Sequence, residues 1–349
     1  MSNYDQFAAA VKEISGGKNI VLLDDLGLPS VYVPINKLKN SEIISGGSEN
    51  THPAFSVDGV EKSRFLYSKY QNIIINGRAY SLSHRDPKTY VNFDQARQAC
   101  EAKGAGFHLG TLAEWAAVAL LTRKMGTMPH GNNNYGGDSA YTYEKGQESA
   151  KDNNKTGRTF TGSGPATWGH DHTQFGIQDM NGNVWEWLGG MRLNEGEIQI
   201  IPYNNAALGS ECDMSASSTL WKAIKNDGSL VAPGTAATLK YDFVSGNIQL
   251  TTGITSAQDA GRGGSYTTMT LASGVTAPEL AKALILYPDE PGKDYGGDYH
   301  WMNNAGERLP IAGGSWYDGA DAGVFRLYLS IARSYSYGNF GFRSAYVEL

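Results

Sequence analysis

Chemistry at a metal or a nucleophile would have to come from few residues in this sequence: Cys100, Cys212 and seven histidines. The cysteines are far apart and belong to no CxxC pair, so they lack zinc-ligand spacing, although a disulfide between them stays open. His170 and His172 are the nearest approach to a metal pair, and a lone HxH in a Gly/Thr loop is more often simply solvated. With no activated nucleophile, soft-metal pair or facial triad, the spacing assigns no catalysis. Recognition is better represented. Over residues 324–330, Phe325, Leu327 and Leu329 alternate with Arg326, Tyr328 and Ser330. A period of two sends the apolar three into a core and the other three to the opposite face, where they can vary without disturbing the packing. Tyrosine there offers a large, rigid, amphipathic contact at low entropy cost, and Ser, Gly and Asn offer adaptable hydrogen bonds.

The elements that must position such residues are legible mainly in the first third of the chain. Residues 4–14 carry helical spacing (Phe7, Ala8, Val11, Ile14) stopped by Gly16 and Gly17. Short strands are expected at 19–23 and 31–35, and a hairpin around Asn76–Gly77. A helix is expected from Asn92 to a stop at Gly104. A second is expected over 111–123, with Thr111 as N-cap and Glu114 three residues on. Residues 131–164 and much of 193–306 are rich in Gly, Asn, Ser and Thr and read as long irregular loops. The chain has 43 glycines against 12 prolines, only 18% charged residues and a net charge of -6, with no basic stripe or tail. Nucleic acid is therefore not an expected ligand. No stretch approaches membrane-spanning length, and the start MSNYDQFAAAVKEI carries charge where a signal peptide needs an apolar core. Synthesis in a cytoplasm is the expectation.

Three motifs then arrive in series: HLGTLAEWAAVAL (108–120), DMNGNVWEW (179–187), and GGSW followed by AR and GFRSA (313–345). In this order they resemble the formylglycine-generating-enzyme-like superfamily, a variant of the C-type lectin fold. THPAF, SKYQN and NGRAYSL, with MPHGNNNYG further on, look like its non-enzymatic phage and prophage members. The resemblance implies an α+β domain over 31–349 with long irregular loops, after a helix-and-strand lead-in at 1–30. Within the domain it implies a loop-rich insertion at 193–306 and a variable ligand-binding segment at 313–345. The superfamily's oxidases hold copper with two cysteines near the C-terminus, but no cysteine follows Cys212 here; the HxxxHxE spacing of its iron branch is also missing. The resemblance allows a structural calcium held by the Asp179 side chain, the Gly182 and Val184 carbonyls and the Glu186 carboxylate, hard oxygens suited to that ion. The other reading has Asp179 and Glu186 capping amides in a tight turn. Arg333 and Arg343 fall where the superfamily ties loops to its scaffold, and Trp115, Trp185, Trp187 and Trp316 read as core.

The last forty residues are similar to the variable region of proteins diversified by retroelements, which rewrite adenines in one gene segment. Trp316, Gly319, Ala322 to Phe325, Leu327, Leu329, Ala332, Arg333 and Gly341 to Arg343 match the constant framework. The varying positions fall on Tyr317, Asp318, Ala320, Asp321, Arg326, Tyr328, Ser330, Ile331, Tyr335 and Tyr337, with Gly338, Asn339 and Phe340 joining them. Adenine randomisation of an AAC-type codon never yields Lys, Glu, Gln, Met or Trp, and none of the five occurs between 317 and 340. The implied function is a non-catalytic binding protein with a diversified surface for a protein or glycan ligand, such as a host-cell surface receptor. Placement at a virion tail tip or a cell surface follows from the same resemblance. Competing readings are a metal-dependent oxidase of the same superfamily and a phage tail protein that uses this face for assembly.

Overall fold

The computed structural model describes residues 3–349. The early elements form where local chemistry places them. Asn92 and Thr111 each accept a main-chain N–H three residues on, and Gln95 and Glu114 reach back to close capping boxes on helices Phe93–Glu101 and Leu112–Met125. The second helix ends at Gly126, which takes the left-handed conformation (φ 70°). It is buried on almost every side from Leu112 to Leu120, so it serves as the central core helix rather than an amphipathic surface one.

Two main sheets surround it. The smaller has five antiparallel strands in the order Ile20–Leu23, Pro29–Asn36, Arg64–Ser68, Ser344–Tyr346 and Phe107–Leu109, so the chain end is zipped between two early strands. The expected lead-in is thus continuous with this sheet through Ile20–Leu23. The larger sheet has thirteen strands, and its longest, Gly323–Ile331, lies third from one edge, parallel to Tyr299–Met302 on one side and antiparallel to Glu307–Gly313 on the other.

The stretch 193–306 keeps long irregular connections, as its composition led one to expect, but they join a set of short strands. Met191–Asn194, Glu197–Ile200, Lys240–Val244, Asn247–Thr251, Arg262–Ser265 and Tyr299–Met302 all join the larger sheet. Its Tyr241, Leu250 and Tyr266 enter the main core beside Phe325 and Leu327. The polar composition conceals two-residue hairpins. Glu195–Gly196 (φ 48° and 74°) and Ser245–Gly246 (φ 51° and 82°) have positive φ at both corners, as Asn76–Gly77 has (50° and 79°), the geometry that suits strand twist. Cys100 and Cys212 stay free thiols in one apolar cluster, where burial raises both pKa values, that of Cys212 to about 11.

Candidate ligand-binding cleft

The alternation along Gly323–Ile331 is realised in the packing. Phe325, Leu327 and Leu329 are fully buried, with the Phe325 ring centred 5.5 Å from Tyr266 and 5.0 Å from Tyr295. On the other face Tyr328 is flanked across the sheet by Trp301 and Ile311. Its ring lies 5.8 Å from Trp301 and 5.6 Å from Trp185, which is paired in turn with Phe340 on a neighbouring strand. This aromatic row is the floor of a cleft of about 430 Å³.

Three separate stretches of the expected variable segment line that cleft. The turn after Trp316 supplies Tyr317 and Asp318; the strand supplies Arg326, Tyr328 and Ile331; the final loop supplies Tyr335, Tyr337, Asn339 and Phe340. Tyr317, Tyr335 and Tyr337 are 48%, 44% and 51% exposed, so their rings are free to meet a partner. Ala320 and Asp321 are exposed and do not line this cleft: Ala320 faces a neighbouring cleft that also holds His130 and Asp298, and Asp321 reaches back to Arg326 Nη1 at 3.5 Å. Ser330 lies outside the cleft near Gly261, and the Gly338 carbonyl accepts from Arg158.

Arg326 corrects the expectation of an outward, solvated side chain. It is on the outer face of the strand yet only 4% exposed, because Asp318 and Trp185 cover it. Its Nη2 donates to Asp318 Oδ1 at 2.9 Å, and the guanidinium lies 4.9 Å from the Trp185 ring centre. Asp318 is held in turn by the Ser315 N–H and hydroxyl, both at 2.7 Å from Oδ2. Nη1 of Arg326 makes a long 3.5 Å ion pair with Asp321 Oδ2, and Nε is buried without a hydrogen-bond acceptor among the described residues, so donor capacity remains at the cleft floor. Ile331, Asn339 and Phe340 are also buried rather than exposed; they line the cleft from below, where Asn339 Nδ2 donates to the Tyr317 hydroxyl at 2.8 Å. Burial raises the pKa of Tyr317 and Tyr328, so both hydroxyls stay protonated at neutral pH.

The oxygens expected to surround calcium are already engaged. Gln71 Nε2 lies 3.1 Å from the Asp179 main-chain oxygen, 3.0 Å from the Val184 carbonyl, 3.0 Å from Glu186 Oε1 and 3.5 Å from the Gly182 carbonyl. Both Glu186 oxygens also accept from Arg343, at 2.7 and 2.9 Å. The Asp179 carboxylate points instead to the Gly162 N–H (2.8 Å), leaving Oδ1 buried and unpartnered, and burial raises its pKa to about 6. As arranged, this donor set does not fit a calcium ion: a hydrogen-bond donor occupies the centre, Arg343 already neutralises Glu186, and the Asp179 carboxylate is turned to the Gly162 N–H.

Arg343 and Arg333 tie segments together as expected. Arg333 joins Glu307, Asp94 and the Met214 carbonyl. His170 is buried and accepts the Ile177 N–H on Nδ1, with its pKa lowered by burial to about 4, and His172 Nε2 sits 2.9 Å from the Met128 carbonyl. Among the described residues no group of three or more His, Cys, Asp or Glu could hold a metal ion, and no helix is long and apolar enough to cross a membrane. Reasoning from sequence placed Trp185 in the core, where it is buried, but missed that it also lines the cleft with Trp301 and Ile311. Only strand pairing brings these residues to Tyr328, and no local pattern announces it.

Residues 39–270 match the family described as "Sulfatase-modifying factor enzyme 1-like domain". The match spans more than half of the chain, which therefore belongs to this family, and its mixed helix-and-sheet architecture is the one expected from the motifs. Among solved structures the chain is similar to Treponema denticola variable protein 1, at 13% identity over 94% of this chain and 98% of that one, with a TM-score of 0.35. It is similar to PvdO from Pseudomonas aeruginosa at 12% identity over 93% and 97%, TM-score 0.38. It is also similar to the Major Tropism Determinant U1 variant at 9% identity over 90% and 62%, TM-score 0.30. No curated protein sequence matches.

Proposed function

We propose that this chain is a non-catalytic binding protein whose aromatic cleft is a recognition surface diversified at the gene level, encoded by a phage or prophage. One observation carries this reading: residues picked out as variable in three separate stretches of sequence converge on one cleft, while the framework residues Phe325, Leu327 and Leu329 form its underside. The chemistry suits binding. Rigid tyrosines at the rim and an anchored Arg326–Asp318 pair at the floor offer stacking surface and directional donors to a protein loop or a sugar ring. A receptor on a host cell is the expected kind of ligand, with display at a virion tail tip or cell surface. The oxidase reading finds little support: no cysteine follows Cys212, and both thiols are buried with raised pKa.

Fluorescently labelled protein applied to a glycan array and to a panel of whole bacterial cells tests the proposal. The double variant Tyr335→Ala, Tyr337→Ala should lose at least about tenfold in affinity for whatever the wild type binds, as truncated tyrosine hot spots do. Its melting temperature should stay unchanged. Equal binding by wild type and variant would move the binding site elsewhere, and binding to tail components alone would favour an assembly role.

A further inference from the structure

We infer that Gln71 takes the place of a cation, so that the loop from Asp179 to Glu186 is locked by an amide and an arginine and needs no metal ion. Three main-chain oxygens and one carboxylate oxygen converge on Gln71 Nε2, each within 3.0–3.5 Å. A primary amide has only two hydrogens to offer these four acceptors. A cluster of oxygens so much denser than one donor needs is the environment of a hard cation, here filled by nitrogen.

Nitrogen and oxygen of a side-chain amide look alike in shape, so the orientation rests on the hydrogen-bond network. Gln71 Oε1 accepts from Asn183 Nδ2 at 2.8 Å. Asn183 Oδ1 in turn accepts the Thr159 main-chain N–H at 2.8 Å, and a backbone N–H cannot reverse its role. Asn183 Nδ2 therefore faces Gln71, and Nε2 must face the loop oxygens. Flipping Gln71 would set two donors against each other on one side and an oxygen against four oxygens on the other.

Charge agrees with this exchange. Glu186 is fully buried and receives its positive partner from Arg343, which bonds both carboxylate oxygens and also the Ser68, Lys69 and Gln178 carbonyls. The dication's role is thus divided: Arg343 supplies the charge, and Gln71 supplies the donor at the centre. Gln71 belongs to the SKYQN motif, for which the cleft accounts in no other way. Removing the amide should leave the converging oxygens without their donor and expose them as a site for calcium.

The test measures calcium binding by titration calorimetry, and melting temperature in EDTA, in calcium chloride and in magnesium chloride, for the full chain and for Gln71→Ala. The wild type should bind no calcium and melt at one temperature in all three solutions. Gln71→Ala should melt lower in EDTA and regain roughly 5 °C or more in millimolar calcium by ligand linkage, but not in magnesium. Calcium binding by the wild type, or a fall in its melting temperature on chelation, would overturn the inference, and that arm holds even if Gln71→Ala fails to fold. A folded Gln71→Ala protein indifferent to calcium would overturn it as well.

Discussion

Leu327→Ala should lower the stability of this protein by about 2–5 kcal/mol, while Tyr335→Ala changes it by no more than about 0.5 kcal/mol. Leu327 is fully buried in the main core, on the inner face of the strand Gly323–Ile331, and truncation removes its packing and leaves a cavity in a region closed by the Leu112–Met125 helix. Tyr335 is 44% exposed, packs against Tyr337 with ring centres 5.7 Å apart, and supports nothing in the core. Urea denaturation of both variants measures the contrast. A comparable loss in the two would mean that the rim tyrosines are structural and not available for variation.

Arg343→Met should cost about 3–5 kcal/mol, the range for breaking one partner out of a buried ion pair. The guanidinium is fully buried and engaged on all three nitrogens, so its loss strands the Glu186 carboxylate and several carbonyls in the core. The damage should depend on pH with a definite sign. Burial already raises the Glu186 pKa against the pull of Arg343, and removing that pull raises it further. A carboxyl whose folded pKa lies above its unfolded value stabilises the protein while protonated and loses that contribution as pH rises through the folded value. Arg343→Met should therefore be hurt least in mild acid and most at neutral pH, and Glu186→Gln added to it should recover part of the loss at neutral pH. A penalty that is the same at all pH values would show that Glu186 is not left as an uncompensated charge.

What could be read from the sequence follows the range of the interaction responsible. Caps and tight turns are local, so Asn92, Thr111 and Asn76–Gly77 declared their elements. Glu195–Gly196 and Ser245–Gly246 make turns of the same kind, but in a polar stretch their flanking strands looked like loop, and only pairing across the larger sheet gives them partners. Period-two alternation placed Phe325, Leu327 and Leu329 correctly and put Arg326 on the correct face. It could not show that Asp318 and Trp185 fold over that side chain and bury it. Trp301 and Ile311 reach the cleft, and Gln71 reaches the Asp179–Glu186 loop, through contacts between residues distant in sequence, for which one sequence holds no periodic signal.

The central claim is that the cleft is a site of diversified recognition, and sequencing the coding segment for residues 313–345 from many members of one population tests it most directly. The expected result is amino-acid replacement concentrated at the cleft positions Tyr317, Asp318, Arg326, Tyr328, Tyr335, Tyr337 and Asn339, arising from changes at adenines. Phe325, Leu327, Leu329, Arg333 and Arg343, which hold the scaffold, should remain constant. Replacements spread evenly over exposed positions of the whole chain, or a cleft as constant as the core beneath it, would contradict the account.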